Sequence, residues 1–394
     1  MLTKRTLPLR ILFPCRRTLS DVSRPAQPLN VLFFGSDTFS NFSLQALNEL
    51  RQTNGDHVVG KIQVVTRSPK WCGRQKSILK YPPIFDMASK LQLPRPITCD
   101  TKQDMLALGK LTSHSRPGSS ADGGPFNAII AVSFGKLIPG DLIRAVPLAL
   151  NVHPSLLPRH KGSAPIQRAL LEGDLCTGVT VQTLHPDRFD HGAIVAQTKP
   201  LAVAALLRAG RLAAADTAAD GLPRRTAILL EQLGAVGAQL LKQTLCEQMY
   251  LPQNRVHAPA AAYEASYARR ITTEDRRIHW ARDSAAELLN RLETLGPVHA
   301  FKEAAAKGAA HPVVLKRVLL HACSVAKDSK LHSCEPGAFE YDQQQDCLVV
   351  ACRGGSQLCV TRLQFEGFAV ERAGQFVARL QKRCGTLGQH LMFQ

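Results

Sequence analysis

Acidic residues, tryptophan and long apolar runs are all scarce in this chain. Its 31 Asp and Glu face 49 Lys and Arg over 394 residues, a formal charge of +18. That excess speaks for a polyanionic partner, nucleic acid or an anionic membrane surface, with a plainly basic protein carrying a cationic leader as the alternative. No apolar run approaches the roughly 20 residues needed to cross a bilayer, which excludes a spanning helix. Cysteine is present, but its 11 copies form no C-x-x-C pair and no Cys/His set with zinc-finger spacing. Structural zinc is therefore not expected, and an odd, scattered set reads as reduced thiols. The first strand is followed by a single glycine, Gly35, rather than G-x-G-x-x-G, which argues against a pyrophosphate-binding dinucleotide site. No G-x-S-x-G surrounds Ser155, which argues against a serine hydrolase. No internal repeat is present.

What the chain does contain begins with a leader. Residues 1–28 hold Lys4, Arg5, Arg10, Arg16, Arg17 and Arg24 among Leu, Phe, Ser and Thr, with Asp21 the only acid. Arg-rich and acid-poor is the pattern of a mitochondrial targeting peptide, although Pro8 and Pro14 interrupt the amphipathic helix such peptides form. A matrix protein whose folded part starts near Leu29 is expected.

From there, buried-strand runs alternate with helical spacing. Strands are expected at 29–34, 57–66, 127–132, 148–153 and 178–184, and helices at 39–50 and 84–91. The alternation predicts an α/β domain over residues 29–250 with a largely parallel sheet covered on both faces. Residues 67–83 read as a basic loop and 113–125 as a polar one. The Ala-rich stretch 201–224 fits poorly and reads as an atypical insertion, before helical spacing resumes at 226–245. Residues 251–266 read as a linker. Residues 267–394 then show a helix at 285–295, strands at 313–320, 347–352 and 358–365, and a closing helix at 374–380. Periodicity alone makes this second domain α+β. Cys347 and Cys352 bracket one strand and are expected to pack as small apolar residues.

The most informative segment is LALNVHPSLLPRHKGSAPIQRALLE, residues 148–172. Residues two apart on a strand share a face, so Asn151 and His153 present an amide and an imidazole together at a strand end. Pro154 and Pro158 break the strand, Gly162 turns the chain, and a helix follows with Pro165 in its first turn and Gly173 at its end. A strand end beside a helix start is a usual ligand position in open α/β sheets. Taken alone, Asn-x-His at a strand end is more often a loop-capping pair than a catalytic one.

The whole string resembles the signature of the folate-dependent formyltransferases, and its LLPR…G.APIQRALLEGD part is most similar to members acting on methionyl-tRNA. The resemblance implies a Rossmann-like N-terminal formyltransferase domain, a C-terminal OB-like β-barrel that binds tRNA, and a monomer. It implies transfer of the formyl group of 10-formyltetrahydrofolate, as co-substrate, to the amino group of initiator methionyl-tRNA, with no metal and no membrane. The attacked carbonyl becomes an oxyanion, for which the Asn151 amide is the candidate donor. A proton must pass from the attacking amine to the departing folate nitrogen; a histidine side chain suits both transfers, and His153 is the candidate. In TGVTVQTLHPDRFDHG (177–192) the resemblance puts the family's aspartate at Asp190, with Asp187 as the rival. It assigns Ser155, Leu156, Leu157 and Pro158 to the folate. Leu156 and Leu157 suit a flat pterin, and equally the core beneath the loop.

Thr66 to Lys80 carries Arg67, Lys70, Arg74, Lys76 and Lys80 around Trp71, one of two tryptophans, with no acid. Cations around an exposed ring suit phosphate contact plus base stacking. The segment resembles the family's tRNA-entering loop, with Arg74 in the place of its key arginine. HPSLLPRHKG also resembles the hydrolase domain of 10-formyltetrahydrofolate dehydrogenase. Transfer to water, transfer to a small amine, and a non-catalytic RNA-binding role therefore stand as rivals.

Overall fold

The computed structural model describes residues 27–52, 58–112, 124–210, 221–254, 263–305, 313–326, 331 and 335–394. Nearly all of the expected leader, most of the 113–125 loop, positions 211–220 of the Ala-rich stretch and 255–262 of the expected linker lie outside these residues. The chain divides into two compact units, Met1–Ala169 with Gly173–Arg211 and Ile228–Arg270, and Leu170–Glu172 with Leu212–Ala227 and Ile271–Gln394.

The first unit is built on a seven-stranded sheet. Its strands are β1 (Leu29–Gly35), β2 (Val59–Thr66), β3 (Ile97–Thr98), β4 (Ala128–Val132), β5 (Leu148–His153), β6 (Thr180–Thr183) and β7 (Ile194–Gln197), in the order β7-β6-β5-β4-β1-β2-β3. The five strands from β5 to β3 run parallel, and β6 and β7 are antiparallel additions. Every residue of β1 and β4 is buried, as continuous apolar runs require when both sheet faces are covered. Helix α1 (Thr38–Gln52) buries Phe39, Leu44, Leu47 and Leu50 at helical spacing. Helix α2 (Pro165–Leu171) follows the signature loop, and Gly173, at φ +70°, ends it in the left-handed conformation that suits glycine. Helix α3 (Arg224–Cys246) approaches the sheet closely because it is small where it touches. A Cβ on Gly237 would lie 3.3 Å from Val152 and Val179, and one on Gly234 only 2.5 Å from the Phe42 ring.

The second unit holds an antiparallel sheet. Its strands are β8 (Val298–Ala305), β9 (Val313–Val325), β10 (Phe339–Asp342), β11 (Cys347–Ala351), β12 (Gln357–Phe365) and β13 (Glu371–Arg372), ordered β8-β9-β12-β11-β10 with β13 on β12. The last residues of the chain close it. Phe301 of β8 and Gln394 exchange two backbone bonds of 3.0 and 2.7 Å, while Phe339 N–H reaches Leu391 O at 2.8 Å and Phe393 N–H reaches Gly337 O at 2.9 Å. The tail thus lies between β8 and β10 and removes both sheet edges. Phe393 stacks on Phe339 at 4.4 Å and on Trp280 at 5.9 Å in the barrel core. Helix α4 (Ala285–Leu295) starts at a Ser284/Glu287 capping box, and helix α5 (Ala373–Cys384) buries Phe376 and Leu380.

The expected architecture, a largely parallel α/β sheet and a separate small β-barrel, is the one observed. Cys347 and Cys352 are buried as expected. The 67–83 segment differs: rather than a plain loop it forms a hairpin, Lys70–Cys72 paired with Ile78–Lys80. The tight turn at Gly73 (φ +80°), Gln75 and Lys76 allows it. Within the Ala-rich stretch, Val203–Ala209 form a helix. Strand β8 went unread because its sequence, VHAFKEAA, carries Lys302 at its centre. That lysine is fully buried, and its ammonium donates to the carbonyls of Glu303 and Leu387.

Candidate active site

The carboxyl ends of β1, β4 and β5 open on one cavity of about 420 Å³, lined among others by Asp37, Ser133, Asn151, His153, Asp190 and Tyr267. Parallel strands deliver loop side chains to this end of the sheet. Pairing of β5 with β6 puts Gln182 opposite Asn151 and Thr180 opposite His153. Thr180 then pins the loop after His153. Its hydroxyl donates to Ser155 O at 2.7 Å and accepts Leu157 N–H at 3.2 Å.

Asp190 arrives from the β6–β7 connection in the left-handed conformation, φ +55°. The fold-back is possible because residue 192 is glycine: a Cβ there would lie 1.6 Å from Thr183 O. The carboxylate is then surrounded by donors. Oδ1 accepts from Asn151 Nδ2 at 3.1 Å and Gln182 Nε2 at 2.9 Å, and Oδ2 accepts from Gly162 N–H at 2.8 Å. His153 Nδ1 lies 3.4 Å from Oδ1, with both side chains over nine-tenths buried. The other ring nitrogen, Nε2, lies 2.9 Å from the carbonyl oxygen of His160. A carbonyl only accepts, so Nε2 carries the hydrogen and Nδ1 is the nitrogen left facing Asp190. Asp187 is exposed, and its backbone N–H donates to His185 Nδ1 at 3.1 Å.

The constellation couples an amide with a second, uncommitted N–H, an imidazole and a fixed carboxylate. Such a set stabilises a developing oxyanion and moves one proton. At the end of β1 the cavity holds a second carboxylate. Burial pushes Asp37 up to about 6, against hydrogen bonds from Ser40 N–H, 3.0 Å away, and the Ser133 hydroxyl.

A model of the formyl transferase domain matches residues 29–215, and one of the formyl transferase C-terminal domain matches 270–381. The mitochondrial methionyl-tRNA formyltransferase of Saccharomyces cerevisiae is 72% identical over 397 residues, covering 99% of each chain. The chain belongs to the formyl transferase family. The mitochondrial methionyl-tRNA formyltransferase of Homo sapiens is 28% identical over 84% of this chain and 73% of its own. Among solved structures, a sugar 3N-formyltransferase determined in the presence of dTDP and 5-N-formyl-THF has a TM-score of 0.48 and 15% identity, covering 86% of this chain and 99% of that one.

Within this formyltransferase cavity the structure brings Asn151, His153 and Asp190 together. It treats the 155–158 segment differently. Ser155, Leu156 and Leu157 are buried, with Ser155 Oγ donating to Arg159 O at 2.7 Å, and it is Pro154, just before this segment, that lines the cavity. On the hairpin, Lys70, Trp71, Lys76 and Lys80 are exposed, Trp71 by 60%. Arg67 is not free there: its Nε donates to Asp100 at 2.7 Å. The Arg74 side chain lies outside the described residues. Sequence reasoning missed Gln182, Asp37 and Tyr267. Gln182 alone had a signal, since it stands opposite Asn151 once the two strands are paired. Among the described residues His160 and Asp174 have the chemistry of metal ligands, but the Arg159 guanidinium already occupies both Asp174 oxygens.

Proposed function

We infer that this chain moves the formyl group of 10-formyltetrahydrofolate onto the amino group of initiator methionyl-tRNA in mitochondria. The observation that carries the reading is the 72% identity, across 99% of the chain, to the yeast mitochondrial methionyl-tRNA formyltransferase. Residues 29–250 are read as the catalytic domain and 267–394 as the tRNA-binding barrel; the two formyl transferase family models match residues 29–215 and 270–381 within them. No helix among the described residues is long and apolar enough to cross a membrane.

The neutral amine of the methionyl ester attacks the formyl carbon; an α-amino group has an ordinary pKa of about 7.7–8.0, so free base is available near neutrality. The C–N bond forms and the carbonyl electron pair moves onto oxygen. The second N–H of Asn151 donates to that oxyanion, a contribution of about 10²- to 10³-fold in rate for one such donor. His153 Nδ1 takes the proton released by the new ammonium and returns it to the folate nitrogen as the carbon–nitrogen bond to folate breaks. Asp190 faces Nδ1 and stabilises the imidazolium between the two transfers. Ser155 to Pro158 support the folate by fixing the wall beside it. The exposed Lys70, Trp71, Lys76 and Lys80 of the hairpin, with Arg74, meet the tRNA, and Arg67 supports the hairpin's base. The test is formation of formyl-methionyl-tRNA from both substrates, with a tRNA-free control. Product with little turnover in the control is expected. Equal folate turnover without tRNA would replace this reading by a hydrolase.

A further inference from the structure

Beside the cavity lies a buried cluster to which the mechanism gives no role. His160 is 2% exposed and sits in the left-handed region, φ +56°. It is held there directly and through Asp174, and Arg159 Nε also lies 3.3 Å from its ring Nε2. The His160 N–H donates to Ser266 Oγ at 2.9 Å, its ring Nε2 lies 2.6 Å from Asp174 Oδ2, and Asp174 is itself gripped by the guanidinium of Arg159, with Nε at 3.0 Å. What this cluster presents to His153 is a backbone atom, the His160 carbonyl oxygen 2.9 Å from Nε2 of the ring.

We propose that His160 and Asp174 are positioning residues for formyl transfer: they clamp the His160 peptide so that its carbonyl holds His153 as the Nε2–H tautomer and leaves Nδ1 to carry the reacting proton. The proposal rests on the reading of His153 as the group that moves that proton. Its physical basis is that a ring nitrogen facing a carbonyl is protonated, and that the second partner of an imidazole fixes which nitrogen does the chemistry. Asp190, facing the other nitrogen at 3.4 Å, then acts on charge and the clamp on tautomer. Without the ring of His160, Asp174 holds the loop only through Arg159, one residue earlier, and the His160 carbonyl is freer to turn away. A displacement of about 1 Å at a reacting group is enough to cost about 10²-fold in rate.

Two substitutions avoid backbone strain, because glycine and asparagine both tolerate the left-handed region. His160→Gly removes the clamp, whereas His160→Asn keeps a side-chain donor for Asp174. The expected result is a kcat lower by about 10- to 100-fold in His160→Gly with KM for methionyl-tRNA unchanged, and partial recovery in His160→Asn. Independently of any variant, long-range ¹H–¹⁵N correlation on histidine-labelled full-length protein, with the His153 signal assigned by its loss in His153→Asn, should show Nε2 protonated and Nδ1 bare in the neutral ring. An Nδ1–H tautomer in the wild type, or a folded His160→Gly with normal kcat beside an inactive His153→Asn, would overturn the positioning role alone. Normal turnover in His153→Asn would instead remove the acid–base reading, and the positioning role with it.

Discussion

At the scale of single residues, the cavity is governed by how few groups are allowed to be both buried and charged there. Asp37 is the clearest case, a helix-start carboxylate whose surroundings raise it to about 6 from an ordinary 3.8. A carboxyl raised on folding favours the protonated folded state. Its stabilisation is complete below about pH 4 and is lost as pH rises through 6. Asp37→Asn keeps an acceptor for Ser40 N–H without the charge. It is predicted to raise stability at pH 7.5 by about 1 to 3 kcal/mol and to leave it nearly unchanged at pH 4, as read by urea unfolding at the two pH values. Destabilisation at both would mean that the carboxylate is needed as an anion. Legibility in the sequence divides along the same line. Asn151 and His153 could be read because two residues on one strand share a face. Asp190 required the family resemblance, since nothing local distinguishes it from Asp187. The Gly162 amide and the His160 carbonyl could not be read at all, because backbone groups acquire a partner only through the tertiary fold.

At the scale of elements, the site depends on segments that return sharply to the sheet. The β6–β7 connection works only with glycine at 192, where a side chain would collide with Thr183 O at 1.6 Å. Gly192→Ala should therefore shift Asp190 off the three donors that hold it. The expectation is a loss of turnover of about 10²-fold or more with a lowered melting temperature; an unchanged rate would show that Asp190 needs no such placement. Strand legibility followed burial. The largely apolar β1, β4 and β5 declared themselves, while β8, with a buried lysine at its middle, and the short β3, β7 and β10 did not. The hairpin at 70–80 escaped for a related reason: its strands are three residues each and lie largely in solvent, so no alternation of apolar and polar positions marks them.

At the scale of the molecule, the two units solve different problems. The first covers a parallel sheet and keeps its strand ends for chemistry; the second closes an antiparallel sheet with the chain's own last residues. Phe393→Ala should cost about 3–5 kcal/mol, the usual range for a buried Phe stripped to Ala, because that ring fills the core between Phe339 and Trp280. Urea unfolding followed by Trp280 fluorescence would measure it, and a cost below about 1 kcal/mol would contradict closure by the tail. The +18 charge points the whole chain toward a polyanion, in keeping with an acceptor carried on tRNA. The central claim, that the Asn151–His153–Asp190 cavity performs formyl transfer, is tested most directly by a matched pair. Asp190→Asn and Asp187→Asn would be compared with the parent chain for formyl-methionyl-tRNA formation at saturating 10-formyltetrahydrofolate and methionyl-tRNA, after thermal melts show both folded. The account predicts a fall of orders of magnitude for Asp190→Asn and near-parental turnover for Asp187→Asn. Near-parental turnover in Asp190→Asn, or a collapse confined to Asp187→Asn, would contradict it.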